Sequence, residues 1–115
     1  MGTLKEFMLL FRMQFSNTQP TAGQMATMHQ QWQQFIGAIA SQARLVNVSR
    51  LGFEGAVIKS DQTGENHFFI ENGFAVSGNL TMKTESMEEA IETARLCPVL
   101  FAGGTVEVRP IIPMN

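Results

Sequence analysis

Charge is what this chain has least of. Only 16% of its 115 residues are Asp, Glu, Lys or Arg, against the usual quarter, and none of these lies between Arg12 and Arg44. A monomer of this size normally shows more charged surface, so part of the surface is expected to meet a partner, and a homodimer is the simplest one. The net charge is −2 and no basic cluster exists to neutralise phosphates, which argues against nucleic acid as a partner.

Cysteine is nearly absent. Cys97 stands alone, which excludes an internal disulfide and a cysteine-built zinc site. The two histidines, His29 and His67, lie too far apart for metal-ligand spacing, so no metal and no cofactor is expected. Long apolar runs are missing too. The opening "MGTLKEFMLLFRMQF" is interrupted by Arg12 and lacks both a cleavage pattern and the ~18 apolar residues of a membrane span. Glu6 breaks the myristoylation pattern. These absences predict a soluble, cytoplasmic protein with no membrane contact. The length suits one domain, residues 1–115, with room for a single core.

What the chain does contain is clear periodicity. In "KEFMLLFRM", residues 5 to 13, Phe7, Leu9, Phe11 and Met13 share one face of a strand, and Met8, Leu10 and Arg12 the other. Both faces are largely apolar, so both should be covered. After a polar stretch, "SNTQP", Thr21 and Gln24 form a capping-box pattern. Met25, Met28, Trp32, Phe35, Ile36, Ile39 and Ala43 then recur at helical spacing over about 22 to 43. "RLVNVSRLGFEGAVIKS" holds one or two strands broken around Gly52, and "SDQTGEN" is a turn. "HFFIE" reads as a short strand. "VSGNLTMKT" alternates, with Val76, Gly78, Leu80 and Met82 on one face.

"SMEEAIETARLCP" is a second helix. Ser86 and Glu89 supply its capping-box pattern, Met87, Ala90, Ile91, Ala94 and Cys97 its buried stripe, and Pro98 its end. "TVEVRPII" is the last strand, with pairing expected to stop near Pro110. The order β, α, two or three strands, α, β fits a ferredoxin-like α+β sandwich with both helices on one face of an antiparallel sheet. The first and last strands are then neighbours, placed by this reading at the sheet centre. The other face of the sheet needs a cover, which two sheets packed face to face would give each other.

The C-terminal half, "SMEEAIETARLCPVLFAGGTVEVRPI", resembles the end of the YCII-related, or DGPF-domain, proteins. "EFMLLFR" and "LV" ahead of "GAVI" are similar to that family's opening. The resemblance covers nearly the whole chain and implies a ferredoxin-like fold that dimerises into an α+β barrel. Some distant relatives are dehydrochlorinases or related enzymes using a cleft histidine with an aspartate. Others lie beside, or are fused to, sigma factors of the extracytoplasmic type. Counting back from "VSG", the Asp-Gly-Pro-Phe signature falls on Asn66, His67, Phe68 and Phe69, of which only the phenylalanine matches. A proton-transfer role of the signature aspartate cannot pass to Asn66. Glu71 matches a glutamate found two residues after the signature.

Candidate chemistry is sparse. His67 is a general acid/base candidate because imidazole titrates near neutrality; the alternative is an ordinary strand or rim residue. On a regular strand Glu71 would lie ~13 Å away, at about 3.3 Å per residue, too far to pair, while Asp61 sits in the preceding turn. His29, at the edge of the helical stripe near Trp32, is a second acid/base candidate or a boundary residue with one hydrogen bond. Glu107 and Arg109 share one face of the last strand, and Arg12 can approach them from the first. Together they form a structural ion cluster or a fork for an anionic group.

Trp32 and Glu71 complete the candidate binding residues, with packing the alternative for Trp32. Cys97, beside a helix C-terminus, should be an unreactive thiol. "AGGT" precedes a strand and so fails the context of a phosphate loop. Two functions follow. One is a small-molecule-binding protein or lyase-like enzyme acting on a small anionic or hydroxylated compound. The other is a non-catalytic interaction module linked to transcriptional signalling.

Overall fold

A computed structural model describes residues 3–15 and 20–114; the polar stretch at 16–19 lies outside the described residues. The elements in order are β1 (Lys5–Gln14), α1 (Ala22–Ser41), β2 (Leu45–Arg50), β3 (Val57–Ile58), β4 (Gly64–Glu65), β5 (Phe74–Thr84), α2 (Met87–Ala94), a 3-10 turn (Pro98–Ala102) and β6 (Thr105–Pro110). Four strands form one antiparallel sheet in the order β2-β5-β1-β6, and β3 pairs with β4 in a separate small ladder. Two helices pack on that sheet, which makes this the ferredoxin-like α+β sandwich expected from the element order. The expected neighbours β1 and β6 do pair, Leu9 facing Val108 and Leu10 facing Glu107. Their place at the sheet centre is corrected: β1 and β5 form the centre, and β6 is an edge.

The core sits where the alternation of β1 meets the helical stripes. Phe7, Leu9 and Phe11 are buried, and Leu9 and Phe11 pack with Leu80 and Met82 of β5, Phe35 and Ile39 of α1, and Ala94, Cys97 and Val99. Burial of such side chains contributes about 1.5–3 kcal/mol each. The opposite face of β1, with Met8, Leu10 and Arg12, is half-buried, and both helices pack on the core side.

Helix α1 starts as its capping box dictates. Thr21 Oγ1 accepts from the Gln24 N–H at 3.1 Å, and Gln24 Oε1 accepts from the Thr21 N–H at 2.8 Å. It stops at Ser41, two residues short of the expected end. Ala43 turns left-handed (φ 59°) and leaves the stripe. At the other end Met25 is 55% exposed, so the first turns extend past the core. In α2 the box is half-formed. Ser86 Oγ accepts from the Glu89 N–H, but the Glu89 carboxylate accepts from the Glu85 N–H rather than the cap's own. The helix ends at Ala94, before Pro98, which instead opens the 3-10 turn.

Two strand expectations are corrected. "HFFIE" is not a strand: residues 66–70 are irregular, and only Glu71 makes an isolated bridge, to Phe74. Its β-prone residues meet no free sheet edge. Phe68 instead packs against Phe15 and Phe53, and strand propensity reflects such packing opportunities more than an intrinsic backbone preference. In β5 the alternation breaks at a bulge. Phe11 faces Gly78 while Arg12 faces Val76, so Ser77 is the extra residue, its hydroxyl donating to the Phe11 carbonyl at 3.3 Å. The parity change places Val76 with Arg12 on the face away from the core and Ala75 with Met13 on the core side.

The segment 51–73, between β2 and β5, leaves the sheet. The Cα radius of gyration is 15.9 Å, against about 13 Å for a compact chain of this length.

Candidate functional site

Where segment 51–73 folds back against the end of the sheet, it leaves an open cleft of about 750 Å³. Its floor is the bulged end of β5 and the neighbouring strands: Arg12, Ala75, Val76 and Thr105. Its walls are Leu51, Gly52, Glu54, Phe68, Phe69, Glu71, Asn72 and Phe74. Each wall has a local cause. Asn72 (φ 53°) and Gly73 (φ 82°) are both left-handed, and Glu71 and Phe74 exchange backbone hydrogen bonds of 2.9 Å across them. Asn-Gly supplies positive φ at little cost, so this tight turn is written in the sequence. The aromatic packing of Phe15, Phe53 and Phe68, with centroids 5.3 to 6.0 Å apart, pins the two limbs of the segment to the end of β1.

Arg12 is the cationic group of the cleft. Its Nη1 donates to Glu107 at 2.7 Å, and Arg109 reaches the other oxygen of the same carboxylate at 3.3 Å. Hydrogen bonds from Arg12, then Arg109, hold the Glu107 carboxyl below its ordinary range. Two guanidiniums thus share one carboxylate, which leaves one positive charge in excess. The expected meeting of Arg12, Glu107 and Arg109 is therefore present, although only Arg12 lines the cleft. Across from it, Glu54 and Glu71 have no ion-pair partner among the described residues.

The histidines are placed elsewhere. His67 is exposed, stacks on Phe68 at 4.3 Å, and bonds through Nδ1 to the Phe68 carbonyl at 2.7 Å. A carbonyl only accepts, so this contact requires the ring proton on Nδ1. Asp61 does not serve it: its Oδ1 accepts from the Thr63 N–H and hydroxyl at 3.0 and 2.6 Å, which holds that carboxyl below its ordinary range. His29 is exposed on α1. Neither histidine lines the cleft. Trp32 lies on the far side of the sheet, edge-on to Phe11 and Phe35 at 5.0 and 6.0 Å. It lines a separate groove with Met13, Met28 and Phe101.

Cys97 is fully buried, and burial pushes its thiol up to about 11, partly opposed by a backbone hydrogen bond at Val99. Among the described residues no group of three His, Cys, Asp or Glu could hold a metal ion.

Of the residues singled out from sequence, the cleft brings together Arg12 and Glu71. Sequence reading missed Glu54, Asn72, Thr105 and the facing phenylalanines. The Asn-Gly dipeptide was the available signal for Asn72; Glu54 carried none. The cleft offers a guanidinium, two carboxylates, an amide, a hydroxyl and aromatic walls. Chemically, that set can engage a small molecule by charge and stacking, and among the described residues no histidine, cysteine or aspartate lines it. No family model and no curated protein matches the chain.

Proposed function

We propose that this domain binds a small hydroxylated or anionic organic molecule in the cleft at Arg12, as a homodimeric, cytoplasmic protein of the YCII-related kind. The carrying observation is the convergence of Arg12, Glu71 and Asn72 between aromatic walls in one cleft. A few directed polar groups on an apolar surface are the usual composition of a small-molecule site. Arg12 would orient an acidic group, the phenylalanines would take an aromatic or aliphatic body, and Glu54 and Glu71 would accept from hydroxyls. Lyase-like catalysis has less support than binding, because both histidines stand outside the cleft.

The test is calorimetric titration with salicylate, a hydroxylated aromatic acid, and with its neutral and non-hydroxylated analogues. Binding should be lost in Arg12→Ala and kept in His29→Ala. Equal binding by wild type and Arg12→Ala would refute the proposal.

One observation favours the second reading, an interaction module. Leu96, Leu100 and Phe101 are exposed together around the end of α2 and the 3-10 turn, an apolar surface of the kind partners use. Co-purification with an extracytoplasmic-type sigma factor, abolished by Phe101→Ser, would support it; no co-purification would dismiss it.

A further inference from the structure

The cation of the cleft is already engaged, and its carboxylates are not. Arg12 Nη1 lies 2.7 Å from Glu107, whose other oxygen meets Arg109 at 3.3 Å. Glu54 and Glu71 line the same cleft and have no ion-pair partner among the described residues. Taking the cluster with the cleft, two guanidiniums stand against three carboxylates, so one negative charge is in excess. A ligand that is only an anion increases that excess. A ligand that also carries a cationic group removes it.

The strand register fixes where the two signs stand. Arg12 pairs with Val76 on one side and Thr105 on the other, and directly opposed residues share a face of the sheet. Phe74, two residues before Val76, is on that face too. Glu71 bridges Phe74 and so joins them. Phe74 turns both its N–H and its carbonyl to Glu71, which places Glu71 on the side of β5 away from β1. From Arg12 to Glu71 is then two strand spacings across and two residues along, about 12 Å between Cα positions. One para-substituted ring with a hydrogen bond of ~2.8 Å at each end can bridge such a gap. Among the described residues Arg12 uses only Nη1 on Glu107, so the rest of its planar fork is open to an acid. Phe68, Phe69 and Phe74 line the cleft, and aromatic faces attract cations as well as rings.

We propose that the cleft selects a zwitterion, a compact aromatic or aliphatic molecule whose carboxylate meets Arg12 and whose ammonium group meets Glu54 and Glu71. This rests on reading the cleft as a small-molecule site. It adds that a cationic nitrogen, which simple acids lack, decides which molecule is held.

The test is calorimetric titration with para-(aminomethyl)benzoate, a zwitterion at neutral pH, beside para-methylbenzoate, which lacks the ammonium, and benzylamine, which lacks the acid. The zwitterion should bind wild type roughly tenfold tighter than para-methylbenzoate, as expected for two solvent-screened contacts. That advantage should shrink in high salt. It should vanish in the double variant Glu54→Gln, Glu71→Gln, and benzylamine should bind more weakly than the zwitterion. Both substitutions are isosteric and at exposed positions, so the double variant should keep the wild-type Tm.

Equal affinities for the zwitterion and para-methylbenzoate, both lost in Arg12→Ala, would overturn the selection of an ammonium and leave the binding function standing. A preference for the zwitterion that persists in the double variant would overturn it as well, because Glu54 and Glu71 would not be its source. Failure of all three compounds and of salicylate to bind would overturn both readings together.

Discussion

Substituting Gly104 by alanine should be the most informative single-methyl change in the molecule. A Cβ at Gly104 would run into the carbonyl oxygen of Arg12 and lie 2.6 Å from Val99 Cγ2. The first obstacle is backbone of the central strand and cannot swing aside, so β6 must move away from β1 at the Arg12–Thr105 pair. Overpacking of this kind costs typically 1–3 kcal/mol, and a backbone collision belongs at the upper end. With an unfolding entropy of about 2.1 cal/mol/K per residue, a chain of 115 residues has roughly 240 cal/mol/K in total, or about 4 °C of Tm per kcal/mol. Gly104→Ala should therefore lower Tm by ~12 °C.

Gly103 is the control. Its φ is 85°, but an added Cβ meets nothing within 4 Å, so only the left-handed backbone penalty of about 1–2 kcal/mol applies. That corresponds to ~4–8 °C. Differential scanning calorimetry of the two variants separates collision from conformational strain. A Gly104→Ala protein melting within about 2 °C of wild type, or above Gly103→Ala, would refute the argument that close approach of backbone demands the second glycine. Thr105 lines the cleft beside Arg12, so Gly104→Ala should also weaken ligand binding, whereas Gly103→Ala should not.

Two further outcomes follow from the titrating groups. Hydrogen bonds from Arg12, then Arg109, hold the folded Glu107 carboxyl below its ordinary value, so its contribution to stability is present above the ordinary value and disappears as pH falls through the lower folded one. Thermal midpoints from about pH 5 to pH 3 should fall less steeply in Glu107→Gln than in wild type, and the difference should shrink in high salt because the cluster is part-exposed; parallel pH profiles would show that the cluster carries no stability. Cys97, at about 11 and with no exposed surface, should resist a disulfide thiol reagent at pH 8, where about one thiol in a thousand would be ionised. It should react at once in denaturant, and rapid labelling of the native protein would contradict its burial.

Local periodicity carried most of this fold. The alternation of Phe7, Leu9 and Phe11, the stripe through Phe35 and Ile39, and the threonine and serine caps each depend on neighbours within a few residues. Each appears close to where the spacing puts it. The Arg12–Glu107–Arg109 cluster was also legible, because two alternating strands assigned as neighbours must bring those side chains to one face.

Features set by distant partners were not legible. The bulge at Ser77 arises from how β5 meets β1, so Val76 had no local sign of its change of face. The phenylalanines of "HFFIE" looked like a strand until their contacts with Phe15 and Phe53 were known. Glu54 reaches the cleft only because the whole of segment 51–73 leaves the sheet and returns to it. The cleft is thus the least local part of the molecule, and the part that sequence reading recovered least.

The bulge bears on how the chain can change in length. Elsewhere in β5, loss of one residue would turn Leu80 or Met82 out of the core, because every side chain beyond the deletion changes sides. At Ser77 the count is already one too many. Removing that residue would leave Val76 opposite Arg12 and Gly78 opposite Phe11, with every face preserved and the ladder made regular. Position 77 is the place where the central strand can lose a codon without reshuffling its interior, and where descendants of this chain can differ in length while keeping the same core.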